Sequence, residues 1–424
     1  MMTENTAPPV EAGPKGLWRA FASLRHRNYR LYWSGQVTSL LGSSMQTIGL
    51  AWLVLEITHS AWQLGLVGAL QAVPILLFSL FGGLVADRWP KRHVLFVTQA
   101  VAMLQALLLW VLTISGVIQV WHLYLLALLL GCMNCLYRPA SSAFVVELVG
   151  REDLPNAVAL NSSLSTLARI VGPGLAGIIL AGSAVSVLFI INALSFLAVL
   201  IGLAFIDNDK LYAQARQVAE AGARQSMWQS LREGFAYIRE TPVVLLLLLV
   251  VGLVLLFGSN FNVVLPLFAT DILHMGTTGF GFLSAASSIG ALLATLWLAW
   301  SNQKPTMRRM LLGTLIFAIL ELAFALSRLY PLSIVLIASV GFAESTFAAQ
   351  AITTLQTVVP DHLRGRVMSV QVLIFDGSLP LGYLLMGWLS ALYGPIDALL
   401  TGALLSLLAV VGGWLWHMIM LSHT

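Results

Sequence analysis

Gly83-Leu84-Val85-Ala86-Asp87-Arg88-Trp89-Pro90-Lys91-Arg92 places one carboxylate and three cations in six residues, between apolar runs at 61–86 and 93–115. A helix needs roughly 20 apolar residues to cross a bilayer. The charged stretch therefore reads as the short connection between two crossings. Reading outward from it in both directions gives twelve such runs, at about 30–56, 61–86, 93–115, 121–147, 156–181, 184–206, 243–270, 278–300, 307–327, 331–358, 366–392 and 396–420. The chain of 424 residues is 58% hydrophobic and 9% charged. Soluble domains carry about 25% charged residues. The reading is an all-α membrane protein with twelve transmembrane helices, since only helices that satisfy their own backbone can lie in lipid one after another.

Twelve crossings put both termini on one side. Of the 22 basic residues, Arg138 and Arg169 fall within runs and Arg328 in the connection after the ninth. The other 19 lie on the terminal side, which the positive-inside rule assigns to the cytoplasm. The expected location is the inner membrane, with both termini cytoplasmic. Residues 1–28 form a cytoplasmic tail in this reading, without a cleaved signal sequence. Within it Leu17, Trp18, Phe21 and Leu24 recur at helical spacing among arginines, as in a short helix lying on an anionic bilayer. Residues 29–206 make a first six-helix bundle and 243–420 a second. The linker at 207–242 carries Trp228, Leu231, Phe235 and Ile238 on one face, which predicts an interfacial helix. Cys132 and Cys135 are spaced as in some metal and redox sites. Their flanks, Leu129, Leu130, Met133 and Leu136, are apolar, so they read as small packing residues.

The two bundles echo each other. Asp153-Leu154-Pro155-Asn156 opens the fifth run, with Gly172-Pro173 beyond it; His362-Leu363-Arg364-Gly365-Arg366 opens the eleventh, with Pro380 and Gly382 beyond. Two six-span halves in parallel repeat are an arrangement of secondary transporters.

The charged stretch itself, Gly83-x-x-x-Asp87-Arg88-x-x-Lys91-Arg92, resembles the signature of the major facilitator superfamily. Trp89-Pro90 stand where that signature usually has Gly after the Asp-Arg pair. Arg169-Ile-Val-Gly172-Pro173-Gly174-Leu-Ala-Gly177 resembles the fifth-helix motif of its proton-coupled efflux members. Arg138-Pro139-Ala140, Val149-Gly150-Arg151-Glu152-Asp153-Leu154 and Leu363-Arg364-Gly365-Arg366-Val367-Met368 are similar to the branch that holds enterobactin exporters and macrolide efflux proteins. The resemblance covers residues 24–420. It implies the major facilitator fold, two pseudo-symmetric six-helix bundles around a central cavity, and export of a small organic molecule by proton antiport. It implies a hinge or proton seal at Arg169, Gly172, Pro173 and Gly177.

Charge placement adds roles. Asp87 is expected beside the positive N-terminus of the eleventh helix, and Arg88 or Arg92 against Glu147. With Gly83 and Lys91 these would form a gate latch of about 1–3 kcal/mol. Ionisable residues inside spans are costly and mark function by default. Arg138 and Arg169 lie in the first half, and Glu321, Glu344 and Asp376 in the second. A proton exchanger needs a carboxylate that loads on one side and releases on the other, so Glu344 and Asp376 are the leading candidates, then Glu321 and Arg138. Gln46, Asn134, Tyr137, Asn161, Asn260, Phe261 and Asn262 are candidate cavity residues, each with helix packing as the plainer alternative. No cofactor, metal or nucleic-acid site is expected, nor any enzyme centre. The partners would be the substrate, protons and the bilayer, with the chain acting as a monomer. Uptake of a metabolite, or a sensor that has lost transport, are the alternatives. Substrate identity is not in these motifs.

Overall fold

The computed structural model describes residues 17–212, 227–301 and 305–422, without the side chains of 17–20, 79–88, 227–231 and 421. Among the described residues every regular element is a helix, and twelve are long and apolar enough to cross a membrane. This is a multi-pass membrane protein. Spans one to six are Arg27–Thr58, Ala61–Arg88, Lys91–Ile114, Val120–Val149, Leu154–Gly182 and Ser186–Ala204. Span seven, Pro242–Ile272, is broken after Phe257 and resumes at Phe261. Spans eight to twelve are Gly276–Ser301, Met307–Leu326, Tyr330–Val358, Asp361–Tyr393 and Pro395–Ser422. Span eleven starts a turn earlier than its apolar run, because Pro360 stands at its N-cap and the polar residues 361–365 continue the helix into the membrane face.

The connections are tight. Gly150, with a φ of 72°, turns the chain out of span four, and a Cβ there would lie 3.2 Å from the ring of Tyr212. Arg92 turns back onto the end of span six. Its guanidinium donates to Leu203 O at 2.8 Å, Ala204 O at 3.0 Å and Asn208 Oδ1 at 2.6 Å. A helix leaves its last carbonyls without intrahelical donors and carries partial negative charge there, so a cation is favoured. Of the two partners expected for Glu147, Arg92 is thus turned away and the Arg88 side chain lies outside the described residues; Lys91 stands 3.7 Å from Glu147.

The packing repeats with an offset of six spans. Within the first six, span one touches five and six, span three touches four and six, and span two touches four. Within the last six, span seven touches eleven and twelve, nine touches ten and twelve, and eight touches ten. The sets join mainly where span two meets eleven and span five meets eight, with smaller contacts from span seven to spans one and two. These close where small residues meet. A Cβ on Gly387 would lie 2.9 Å from Gly65 Cα, and one on Gly177 would lie 3.2 Å from Gly281 Cα. All four glycines lie nearer the face opposite the termini. Close backbone approach through small residues is how helices associate without a hydrophobic driving force.

The segment before span one, Leu17–Arg25, is a 3₁₀ helix, tied to the start of span five. Ser23 N–H donates to Asn156 Oδ1 at 2.9 Å, and Arg25 and His26 meet Asp153 at 2.8 and 2.7 Å. It therefore docks on protein, while Phe21 remains exposed. The linker helix, Met227–Glu240, docks on span eleven through a Glu233–Arg366 ion pair and through Gly234, whose position faces Arg366 O. Ile238 is buried and Phe235 exposed, which fits a helix half on protein and half at the membrane face. Trp228 and Leu231 lie outside the described side chains, and the tail at 1–15 outside the described residues.

Candidate functional site

Two cations of the first half lie within electrostatic reach of two carboxylates of the second. Arg138 of span four is the cation whose field reaches Asp376 of span eleven. Arg169 of span five is the one that reaches Glu344 of span ten. Neither pair closes to an ion pair; among the described residues the ion pairs lie at the helix ends and connections. Both arginines are exposed and both carboxylates half-buried. Arg169 lines a groove of about 460 Å³ with Asn161, Ser162, Ser165, Thr166 and Ser141. The cations expected inside the spans of the first half are exposed, and of the three carboxylates of the second half only Glu344 and Asp376 come within their reach.

The second feature is a chamber of about 170 Å³ inside the first bundle, lined by Gln46, Gln71, Thr98, Gln99, Asn134, Tyr137 and Asn192, with Ser39 and Ser43. No charged residue lines it among those described. Gln46 is held at both ends, donating to Gln105 Oε1 at 3.0 Å and accepting from Asn192 at 2.8 Å. Tyr137 donates to Gln36 Oε1 at 2.7 Å. The buried oxygen of Gln99 and the amide nitrogen of Gln36 have no partner. Sequence reasoning picked out Gln46, Asn134 and Tyr137 but missed Gln36, Gln71, Gln99, Gln105 and Asn192. Their signal was present: five amides inside apolar runs, which is costly unless they converge.

The remaining candidates separate. Asn161 accepts from Tyr29 at 3.1 Å and sits on the Arg169 groove. Asn262 is exposed and donates to Tyr383 at 3.0 Å. Phe261 is half-buried against Phe324, with ring centroids 6.3 Å apart. Asn260, named as a cavity residue, is not on the cavity surface. It is 1% exposed, and its amide donates to Leu256 O at 2.8 Å, a carbonyl freed by the break in span seven. It replaces a lost helix bond. Glu321 also lies away from the seam, fully buried within the second bundle.

Gly172, Pro173 and Gly177 serve the seam and its neighbour. A Cβ on Gly172 would collide with Ser44 of span one. Pro173 O and Gly177 face Gly281 of span eight, and Thr278 donates to Gly177 O at 3.3 Å. The side chains of Gly83, Asp87 and Arg88 lie outside the described residues. Lys91 and Glu147 line a cleft of about 600 Å³ beside His93 and Tyr212, at the face that carries the termini. Cys132 is half-buried and Cys135 buried, and neither forms a disulfide.

Comparison with known proteins places this arrangement. The chain is 27% identical over 372 residues to the staphyloferrin A transporter of Staphylococcus aureus, covering 86% of this chain and 90% of that protein. It is 23% identical over 402 residues to macrolide efflux protein A of Streptococcus pyogenes, covering 91% and 96%. The fold matches that of the nucleoside transporter NupG with a TM-score of 0.73, at 16% identity over 91% of this chain and 99% of that one. Residues 18–423 match the family described as transmembrane secretion effectors, and the chain belongs to that family of major facilitator transporters, which are not enzymes.

Proposed function

We propose that the chain exports a small organic molecule from the cytoplasm by proton antiport, alternating access to a cavity between its two six-helix halves. The pairs Arg138–Asp376 and Arg169–Glu344 are the observation that carries this reading. Each couples a carboxylate of one half to a cation of the other. A charged carboxylate draws the halves together; a protonated one releases them. Contact at about 4 Å would be worth roughly 1–4 kcal/mol, depending on how much water remains between the charges. That is enough to bias a two-state equilibrium.

The face that carries the termini is the cytoplasmic one in this reading, on the basis of its basic residues. The seam is closed on the opposite side, so the conformation is inward-facing. The inner membrane is the location, and a single chain suffices, because every residue invoked lies within it. The relatives named for a siderophore and for macrolides support an organic cargo rich in oxygen.

Everted vesicles test the reading. A pH gradient, acid inside, should drive accumulation of an exported dye or macrolide, and collapsing the gradient should stop it. Asp376→Asn and Glu344→Gln should each lower gradient-driven transport by about tenfold or more, the scale of a coupling free energy of 1–3 kcal/mol. Transport that persists undiminished without a gradient would rule out proton coupling.

A further inference from the structure

Glu321 takes no part in these pairs. It lies in span nine, is 0% exposed, and neither carboxylate oxygen has a hydrogen-bond partner. An isolated carboxylate in such a place is strongly disfavoured, and buried charges in membranes are paired or bound to something. The charge that reaches it is of the wrong sign: Glu344 of span ten. Span twelve contributes a hydroxyl rather than a cation.

Its surroundings combine a hydroxyl with the ring of Phe317, whose Cε1 would lie 2.8 Å from a Cβ on Gly258. A Cβ on Gly258 would lie 2.8 Å from Glu321 Oε2 and 2.9 Å from Ser406 Oγ. Both groups therefore converge on the same point of the backbone, and only glycine leaves that point open. Ser406 is fully buried, and its hydroxyl also lacks a partner. Gly258 begins the break in span seven, where Asn260 N–H bonds to Gly258 O at 2.9 Å rather than continuing the helix. The next residue, Ser259, has its hydroxyl beside Glu344. Two consecutive residues of one helix break thus lie near the two carboxylates, and the buried Ser259 hydroxyl has no hydrogen-bond partner. Glu344 is half-buried and Glu321 fully buried. Irregular backbone at membrane depth, where a carboxylate and hydroxyls meet it, is how membrane proteins hold small cations.

We propose that Glu321, Ser406 and the Gly258–Asn260 break form an occluded site for one monovalent cation, a proton or a sodium ion, loaded from the cavity past Glu344 and Ser259. The site belongs to the second bundle alone and does not depend on the direction of transport. Its test is binding, so it stands or falls separately from proton-driven export.

The experiment is infrared difference spectroscopy on the purified full-length chain in detergent at neutral pH. Sodium is exchanged for N-methylglucamine at constant ionic strength. A proton-loaded site gives the carbonyl stretch of a protonated, weakly bonded carboxylic acid in both salts, lost in Glu321→Gln. A sodium-loaded site gives that band only in N-methylglucamine; sodium abolishes it with saturation and releases a proton. Ser406→Ala, a milder change, should shift the band in the first case, and in the second should raise the sodium needed for half-saturation about tenfold. A wild-type chain with no such band in either salt overturns the proposal. So does a band that Glu321→Gln leaves intact, or a Ser406→Ala chain indistinguishable from wild type.

Discussion

At the scale of single residues, the same side-chain type does different work according to what it faces. Glu344 and Asp376 lie within reach of arginines of the other half, Glu147 stands beside Lys91 at the membrane face, and Glu321 is buried with neither oxygen hydrogen-bonded. Gly177 shows how little room the seam leaves. A Cβ there would lie 3.2 Å from Gly281 Cα and from Thr278 O. Gly177→Leu should leave the bundles folded but keep the seam from closing. Cysteine-accessibility labelling of positions on the outer side of the cavity should rise, and transport should fall by about tenfold or more, as for loss of a two-state bias of 1–3 kcal/mol. Unchanged labelling would remove Gly177 from the seal. Asn260 carries a structural burden. Asn260→Ala leaves Leu256 O without its donor and should destabilise the chain by about 1–3 kcal/mol, the cost of an unsatisfied buried carbonyl; thermal unfolding in detergent reads it.

At the scale of elements, the short helix before span one is held by a clasp of polar groups. Partial burial works to raise the Asp153 pKa, but the hydrogen bond with His26 and the charge and hydrogen bond of Arg25 outweigh it and hold the carboxyl below its ordinary value. A lowered folded-state pKa gives stability that is present above the unfolded value, about 3.9, and is lost as pH falls through the folded value. The clasp should therefore persist from neutral pH down to about 4 and loosen only below that. Because Arg25 is largely exposed, its pair is worth only about 0.2–1 kcal/mol. Hydrogen exchange at the Ser23 amide, corrected for intrinsic rate, reads the clasp; protection that survives well below about pH 3 would take control away from Asp153. The break in span seven belongs to this scale too. Gly258, Ser259 and Asn260 interrupt the helix, and their neighbours take over its hydrogen bonding.

At the scale of the whole molecule, transport requires the seam between spans five and eight to open. Gly174 and Ala285 face each other there, with the Cβ atoms 3.8 Å apart once a side chain is added at Gly174. That separation matches the ~3.8 Å mean of disulfide bonds. In a chain with Cys132 and Cys135 replaced by serine, Gly174→Cys with Ala285→Cys should cross-link readily under mild oxidant. Transport should stop when the bond forms and recover with reductant. Full transport by the oxidised protein would mean that this seam does not open during the cycle.

The linear order of residues by itself determined the number of crossings, the side on which charge accumulates and the family. Each of these depends on local hydrophobicity or on charges next to one another in the chain. It also marked the ionisable residues within spans, because burial of charge is costly wherever the span ends up. Only the tertiary structure decided which of them meet. Arg138 and Asp376 are separated by more than two hundred residues, and only packing of their helices brings one within reach of the other. The same packing turned Arg92 onto span six, sent Asn260 inward to mend its own helix, and gathered five amides from separate spans into one chamber. A helix of 3.6 residues per turn shows one sequence to four sides. Which side faces the cavity is set by packing against neighbours that the local sequence does not name.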